Sequence, residues 1–463
     1  MQPPKSVTRV ETYAFEKASE DEMRQFAPGL VERTTRAAAS MVNSALLWKL
    51  GGDLYKFFGP APKSPLPWTL VETTVRWNWV LFSNPVMLKG ISLKFRHSVD
   101  GDFANDMIAK VFLEIGSELF GVQLQPDDTI TTCAKERSKV YRSIAARHLG
   151  SALLQPRMGE IDQLCNELLK EFEEGEVDVT RLSQKLVARI VNRFLLGLED
   201  KDAVPVAEAI IAANAYILAK GTNSATPGQF DPHAEVLRNA IDKALSNNTP
   251  FIQELHKSDL SETQKRMMIA VVFFTSLGGT ISQMTGLLWH LSKHPQYQLE
   301  LCGEIVQTSD KKDPKYPFSA ALLAESFRVH PSTMTLDRPT QGTHLLTHTS
   351  QELVDGKCIK EVKQHLLVPP KYIITLYQPW AAQKCQNPDV FDPHRKDQVE
   401  LYPFGHGVHK CVGQYLSEEL IGRFARAFTK RFSYSSPLEK LPLQGYFNLE
   451  PENNVLLQVK RRP

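Results

Sequence analysis

The chain of 463 residues has few cysteines, no marked charge excess and no long apolar run, and each absence excludes a class of protein. Its six cysteines are widely spaced without a C-x-x-C pair, so neither a zinc site nor a disulfide scaffold is indicated and a reducing compartment is expected. A formal net charge of +2 argues against a nucleic-acid-binding protein. Because no uncharged apolar run reaches about 18 residues and no signal-peptide core opens the chain, we expect no transmembrane anchor. The expected location is cytoplasmic, with peripheral membrane association left open.

The composition and the apolar spacing predict a mostly helical globular protein. Hydrophobic residues make up 42% of the chain and charged residues 23%. Helical patterns extend over 204–220, 235–246 and 261–293, and the last is long enough to be a central helix. The first 60 residues are predicted as helix-like segments before a Pro-rich break, and short strands are predicted within 68–95 and 333–385. We therefore expect a single domain over 1–463, mostly α with a small β part.

One cysteine stands apart from the other five. Cys411 lies in the stretch FGHGVHKCVG over residues 404–413, and the apolar residues that follow it recur at every fourth position, which predicts a helix starting just after it. A helix N-terminus favours a thiolate over a thiol, and the glycines let a flat partner approach the backbone closely. A single thiolate held in this way suits an axial bond to heme iron. The alternative is a buried core cysteine in a Gly-rich loop.

The same stretch resembles the cysteine-ligand signature of the cytochrome P450 family, Phe-x-x-Gly-x-[Arg/His]-x-Cys-x-Gly, at its five defined positions: Phe404, Gly407, His409, Cys411 and Gly413. The resemblance implies a thiolate-ligated heme b with Cys411 as the iron ligand. It also implies a triangular-prism fold in which the heme lies between a long central helix and the cysteine loop. The resemblance covers roughly residues 140–463, is strongest over 320–428, and leaves residues 1–140 divergent.

A second motif supports the first. The segment Glu325-Ser-Phe-Arg328 resembles the Glu-x-x-Arg of the same family, whose buried pair meets a later arginine and locks the cysteine loop. The resemblance implies that Arg395, in Phe-Asp-Pro-His-Arg, is this third member. A buried triad of this kind costs desolvation, but loss of one partner would strand a charge, so we expect it to be structurally critical.

The resemblance also implies basic contacts to the heme propionates. Arg338 and His409 occupy two of the expected positions, although an ordinary solvated charge is the alternative for Arg338. A further contact is expected from a helix around 139–154, where Arg147 and His148 are the candidates. The Trp-x-x-x-Arg that the family carries there is absent from this chain.

The long helix departs from the family pattern, which places an acid and an alcohol there to relay protons. Counting back from the end of the helix puts Gly278 at the acid and Gly279 at the alcohol, with Thr280 one step later. A shift of one residue makes Thr280 the alcohol but still supplies no acid. No Asp or Glu occurs between Glu262 and Glu300. Each glycine costs about 1 kcal/mol in a helix relative to alanine, which close approach of a flat ligand or of another helix would offset. These three residues are the catalytic candidates, and the relay is expected to be incomplete.

Three functions follow from these observations. The first is a monooxygenase that oxidises an apolar small molecule such as a lipid, terpenoid or other secondary metabolite, with electrons from a separate reductase or ferredoxin. Lys410, Arg423 and Arg426 would face an acidic partner, unless they are simply a solvated helix face. The second is a reductase-independent isomerase, dehydratase, lyase or peroxygenase acting on a hydroperoxide, because the Gly-Gly pair resembles the allene oxide synthase and hydroperoxide lyase branch. The third is a non-catalytic heme-binding protein.

Overall fold

The computed structural model describes most of the chain from residue 107 onward and shorter segments before it. The described residues are 7–26, 28, 36, 39–43, 45, 46, 49, 54–59, 68–71, 78–82, 107–130, 133, 135–221, 226, 228–308, 315–339, 342–355, 357–368, 372–397, 399–406, 410–445 and 448–462.

Helices dominate this part of the chain, which confirms the predicted fold class. They are α1 (Glu20–Gln25), α2 (Leu54–Phe58), α3 (Met107–Phe120), α4 (Lys135–Leu149), α5 (Ser151–Leu154), α6 (Met158–Lys170), α7 (Val179–Val191), α8 (Asp200–Gly221), α9 (Asp231–Leu245), α10 (Pro250–Lys257), α11 (Glu262–Lys293), α12 (Pro295–Thr308), α13 (Pro317–Val329), α14 (Gln378–Ala382) and α15 (Gln414–Arg431).

The strands form small separate sheets. They are β1 (Val7–Lys17), β2 (Trp68–Val71), β3 (Asn78–Phe82), β4 (Gly175–Asp178), β5 (Thr335–Pro339), β6 (His344–Val354), β7 (Lys357–Val368), β8 (Tyr372–Tyr377), β9 (Phe432–Ser435), β10 (Leu443–Gly445), β11 (Leu449–Pro451) and β12 (Leu456–Arg461). Their orders are β1-β6-β7, β2-β3-β8-β5, β4-β12-β9 and β10-β11.

The β1-β6-β7 sheet differs from the sequence prediction. Strands β6 and β7 have 11 and 12 residues rather than the short lengths expected, and β1 lies where helix-like segments were predicted. The register pairs Val7 with Val354 and Lys17 with His344 in an antiparallel ladder. Long strands form here because each gains hydrogen bonds and side-chain contacts from partners that are distant in sequence.

Helix α11 is the centre of the core. Its N-cap Ser261 accepts a hydrogen bond from the Gln264 backbone at 3.2 Å, while the Gln264 side chain accepts one from the Ser261 backbone at 3.0 Å. This reciprocal cap satisfies two N–H groups that a helix start would otherwise leave unpaired. The helix stops before Pro295, which opens α12. Within the described residues α11 alone is long and apolar enough to cross a membrane, but 72% of its apolar stretch of 18 residues is buried inside the protein.

Candidate functional site

The loop that carries Cys411 is closed by backbone hydrogen bonds. Gly405 adopts φ of 73°, a left-handed conformation that favours glycine, and its N–H donates to the Tyr402 carbonyl at 2.8 Å. The Cys411 N–H donates to the Phe404 carbonyl at 2.7 Å. Helix α15 then begins at Gln414, with Gly413 as its N-cap, so the predicted position of Cys411 just before a helix N-terminus is confirmed.

Cys411 is accessible to solvent. Desolvation by the surrounding protein raises its pKa above the usual value. The Gly413 and Gln414 backbone N–H groups and the positive charge of Arg142 act in the opposite direction, but they do not overcome the burial. The expectation that the helix terminus alone favours the thiolate therefore does not hold for the free side chain.

Helix α4 approaches the cysteine loop through Arg142. One guanidinium nitrogen of Arg142 donates a hydrogen bond to the Lys410 carbonyl, directly before Cys411. Arg147 lies five positions later, about 140° further around the helix. It pairs instead with Glu254 of α10 at 2.5 Å, and His148 contacts the same carboxylate at 2.5 Å. The role expected for Arg147 stays a prediction, while the structure brings Arg142 to the loop.

The Glu325, Arg328 and Arg395 side chains meet in a buried cluster. The Glu325 carboxylate accepts hydrogen bonds from Arg328 at 2.8 and 2.9 Å and from Arg395 Nε at 3.0 and 3.2 Å. The exposed fractions of the three side chains are 3%, 4% and 8%. The Asp392 N–H donates to the same carboxylate at 2.9 Å. The contact between the two motifs that the sequence predicted is present.

This cluster also anchors the segment that leads into the cysteine loop. Arg328 donates to the carbonyls of Pro388 at 2.6 Å and Val390 at 2.9 Å. Arg395 donates to the Val390 carbonyl at 3.0 Å. Two guanidinium groups thus saturate one carboxylate and hold the backbone of one irregular loop, a geometry for which the planar, five-donor guanidinium is well suited.

Aromatic packing ties the cysteine loop to α13. The Phe404 ring meets the Phe327 ring edge-on, with centroids 5.2 Å apart. Phe327 lies directly before Arg328, so the same helix supplies both the ionic and the aromatic support of the loop. Gly407 and His409 lie outside the described residues. Arg338 lies in β5 opposite Ile374 of β8, where only its backbone is described.

The accessible face of α11 is short and polar. Phe273 and Phe274 are buried, whereas Thr275 is exposed and Ser276, Gly278, Gly279 and Thr280 are half-buried. The accessible residues of this stretch are therefore confined to 275–280. The Thr280 hydroxyl lies 3.1 Å from the Ser417 hydroxyl of α15, so this catalytic candidate is in contact with the helix that follows Cys411.

A cavity of about 1010 Å³ lies between α13, α15 and the loop leading to Cys411. Its charged lining is balanced, with five acidic and five basic residues: Asp162, Glu325, Asp392, Glu418, Glu419, Arg328, Arg395, Lys410, Arg423 and Arg426. Arg423 forms ion pairs with Asp162 at 2.6 Å and Glu419 at 2.9 Å. Arg426 donates to Ser319 at 3.0 Å and stacks on Tyr316 at 4.0 Å.

Two of the three cations considered for partner docking are thus engaged within the protein, and Lys410 is the exposed one. The sequence did not point to Arg142 or Ser417. The spacing of polar residues in α4 carried a weak signal for Arg142. No sequence pattern around Ser417 marked it as a partner of Thr280.

The surroundings of Cys411 fit a flat ligand bound through a thiolate. Cys411 is accessible, and its sulfur accepts hydrogen bonds from the backbone N–H groups of Gly413 and Gln414. A Cβ on Gly413 would lie 3.8 Å from that sulfur. On α11, a Cβ on Gly279 would lie 3.7 Å from the Ser332 hydroxyl oxygen and 3.9 Å from the Asn448 side-chain oxygen, so this glycine lies against other segments of the chain.

Comparison with curated proteins identifies cytochromes P450. Cytochrome P450 4F2 from Homo sapiens is 27% identical over 201 residues, which cover 37% of this chain and 35% of that protein. Leukotriene-B4 omega-hydroxylase 3 from Mus musculus is 26% identical over 199 residues, with 37% and 35% covered. Abscisic acid 8'-hydroxylase 1 from Arabidopsis thaliana is 22% identical over 357 residues, covering 70% of this chain and 72% of that protein. The chain spans about a third of the length of the human relatives that it matches. No protein-family model matches the chain.

Comparison with solved structures concerns the fold. The crystal structure of CalO2 superposes with a TM-score of 0.60 at 16% identity, covering 84% of this chain and 92% of that chain. The fold is therefore P450-like, mostly α with a small β part. Together with the curated relatives, it confirms the resemblance of this chain to the cytochrome P450 family.

Proposed function

We propose that the protein is a heme-thiolate monooxygenase that oxidises an apolar small molecule, with Cys411 as the iron ligand. The single observation that carries the proposal is the accessible Cys411 at the start of α15, in a loop held by Glu325, Arg328 and Arg395. The names of the relatives include hydroxylases of leukotriene B4 and abscisic acid, which supports hydroxylation of an apolar molecule in this chain.

Each part of the site has a separate task in this proposal. The Gly413 and Gln414 N–H groups and Arg142 stabilise negative charge on the Cys411 sulfur. The Glu325 cluster fixes the loop, so that the sulfur keeps its position as a ligand enters. A heme bound through this thiolate supplies oxidising power, because the thiolate donates electron density that favours O–O cleavage. Helix α11 faces the substrate with its 275–280 segment.

A specific observation favours a second function, a reductase-independent reaction of a hydroperoxide. Helix α11 carries no acidic side chain between Glu262 and its last residue, Lys293, so it supplies no carboxylate for proton delivery. A hydroperoxide already contains a reduced O–O bond and needs neither this relay nor external electrons. The cavity near the cysteine loop is charge-balanced, and Arg423 is already paired within it. Such a surface has little net charge to attract an acidic electron donor, which fits a reaction that needs none.

The reduced carbon-monoxide difference spectrum tests the thiolate. Wild-type protein loaded with heme is expected to give a strongly red-shifted Soret band, and Cys411→Ser is expected to lose it. Cys133→Ser is the matched control, because that thiol is buried and has its pKa raised to about 12 by burial. A Cys411→Ser protein that keeps the red-shifted band would refute the assignment of the ligand.

Two parallel incubations then separate the functions. One contains a fatty-acid hydroperoxide without reductase or reduced nicotinamide, and the other contains dioxygen, a reductase, reduced nicotinamide and fatty acid. Product in the second alone supports the monooxygenase, whereas rapid consumption in the first supports hydroperoxide chemistry. Heme binding without turnover in either would leave the non-catalytic heme protein as the function.

A further inference from the structure

Strand β7 is an exposed edge of the β1-β6-β7 sheet. Within the described part of the chain it pairs with β6 on one side and with no strand on the other. Residues 357–363 are exposed, and because successive residues of a strand point to opposite faces, both faces of this stretch are accessible. Such an edge presents a row of backbone N–H and C=O groups to which another strand can bond.

A β-bulge at Ile359 limits the usable length of this edge. Lys360 lies opposite Glu352 of β6. The next ladder pair involves Cys358, which leaves Ile359 without a partner on β6. A bulge twists an edge strand away from further pairing. The regular and accessible part of the edge is therefore residues 360–364.

The charges on this segment are arranged symmetrically about Val362. Glu361 precedes it and Lys363 follows it, and their side chains form an ion pair at 3.0 Å on one face of the strand. The exposed fractions are 54% for Lys363, 38% for Glu361 and 43% for Val362. When two copies of a strand pair antiparallel about a two-fold axis, the central residue lies opposite its own copy and its two neighbours exchange partners.

We propose that β7 pairs antiparallel with β7 of a second copy of this chain, with Val362 at the two-fold axis. Glu361 then lies opposite the partner's Lys363, and Lys363 opposite the partner's Glu361, so charges of alternating sign meet on one face. On the other face Lys360 lies opposite the partner's Gln364, and no like charges meet. Centring the pair on Lys360, Glu361 or Lys363 would instead set a charge against its own copy, which is unfavourable.

The opposite edge of the sheet, β1, is less suited to this pairing. The Arg9 side chain donates a hydrogen bond to the Ser350 hydroxyl at 3.0 Å, so this cation is engaged within the sheet. Val10 beside it is half-buried, whereas Val362 of β7 is exposed. The inference goes beyond the proposed function and is independent of it, because β7 contributes no residue to the candidate site.

Sedimentation equilibrium of the full chain tests the pairing. The contact is short, so wild type is expected to dimerise weakly, with a Kd of about 1–100 µM. Lys363→Glu brings carboxylates together at both symmetric positions and is expected to raise the Kd about 5- to 30-fold. Glu361→Lys is expected to do the same with cations. The double variant Glu361→Lys/Lys363→Glu restores opposite charges and should return to within about threefold of wild type.

A mixture of the two single variants separates pairing at β7 from a general effect of charge. Each variant repels its own copy, but the mixture sets the cations of one chain against the carboxylates of the other. A heterodimer about as tight as the wild-type dimer is therefore expected. Arg9→Glu is the matched control, because it reverses a charge on the other edge strand, and it should leave the Kd unchanged. Hydrogen exchange of outward-facing amides within 360–364 should slow as the wild-type concentration rises.

Three outcomes would overturn the inference. Wild type that stays monomeric up to about 100 µM would leave the β7 edge to a strand of a different protein. A dimer that the charge reversals at Glu361 and Lys363 do not weaken would lie on another surface. A dimer that Arg9→Glu weakens as much as Lys363→Glu would lie on the β1 edge. The carbon-monoxide spectrum does not depend on any of these results, so the proposed function is tested separately.

Discussion

The Thr280 hydroxyl of α11 and the Ser417 hydroxyl of α15 lie 3.1 Å apart. This hydrogen bond joins the central helix to the helix that begins three residues after Cys411. Thr280 is a catalytic candidate by its position in the sequence, yet its hydroxyl joins two helices. This contact gives Thr280 a structural role.

Thr280→Val is expected to lower the free energy of unfolding by about 1 kcal/mol, because one half-buried hydrogen bond is lost. Ser417→Ala is expected to cost a similar amount, and the double variant should cost less than the sum of the two. Urea unfolding of the four proteins measures this coupling. Strictly additive losses would mean that the two hydroxyl groups do not interact in solution.

Glu325→Gln is expected to be severely destabilising, by about 3–5 kcal/mol, because it leaves Arg328 and Arg395 buried without their carboxylate. Glu419→Gln is the control. Its carboxylate is 31% exposed and shares Arg423 with Asp162, so its loss should cost less than about 1 kcal/mol. Urea unfolding and bound heme per protein are the measurements, and equal effects of the two changes would contradict the structural role of the cluster.

Arg142→Gln is expected to weaken heme retention, because it removes a charged hydrogen bond to the Lys410 carbonyl next to Cys411. Heme transfer to excess apomyoglobin should accelerate about 5- to 10-fold or more, in line with a charge-assisted bond. Arg147→Gln, which breaks an ion pair with Glu254 on a side chain that is 63% exposed, should change the rate little. The reverse order of the two effects would favour the propionate role that the sequence suggested for Arg147.

The buried His330 is expected to make the folded protein less stable in acid. Burial lowers its pKa from 6.5 to about 4, while its hydrogen bond to the Leu449 carbonyl acts in the opposite direction. The unfolded chain therefore binds more protons than the folded one between pH 6.5 and pH 4, and stability falls as the pH is lowered through that range. This group alone is expected to remove about 2 kcal/mol at pH 5 relative to pH 8.

Urea unfolding of wild type and His330→Gln at pH 8 and pH 5 isolates that contribution. Glutamine can still donate toward Leu449 but does not titrate. Wild type should therefore lose about 2 kcal/mol more than the variant between the two pH values. Parallel losses in both proteins would assign the acid sensitivity to other groups, such as His290, whose pKa burial also lowers.

The parts of the site that could be predicted are those with local signatures. The position of Cys411 before a helix follows from the apolar spacing after it, and the pairing of Glu325 with Arg328 follows from their spacing within one turn. Strand β1 could not be predicted, because it pairs with β6, more than three hundred residues later, and only the partner makes its alternating residues a strand. The same holds for Arg142, whose partner is the Lys410 carbonyl.

The sequence by itself determined the mostly helical class, the position of Cys411 just before a helix, and the absence of an acid from the central helix, since each depends on residue type and spacing along one segment. Tertiary structure decided which side chains face that site. It directed Thr280 to Ser417 and Arg147 to Glu254, because packing fixes how each helix is rotated about its own axis. A sequence pattern specifies a helix and its apolar face, but the neighbours determine what the remaining faces contact.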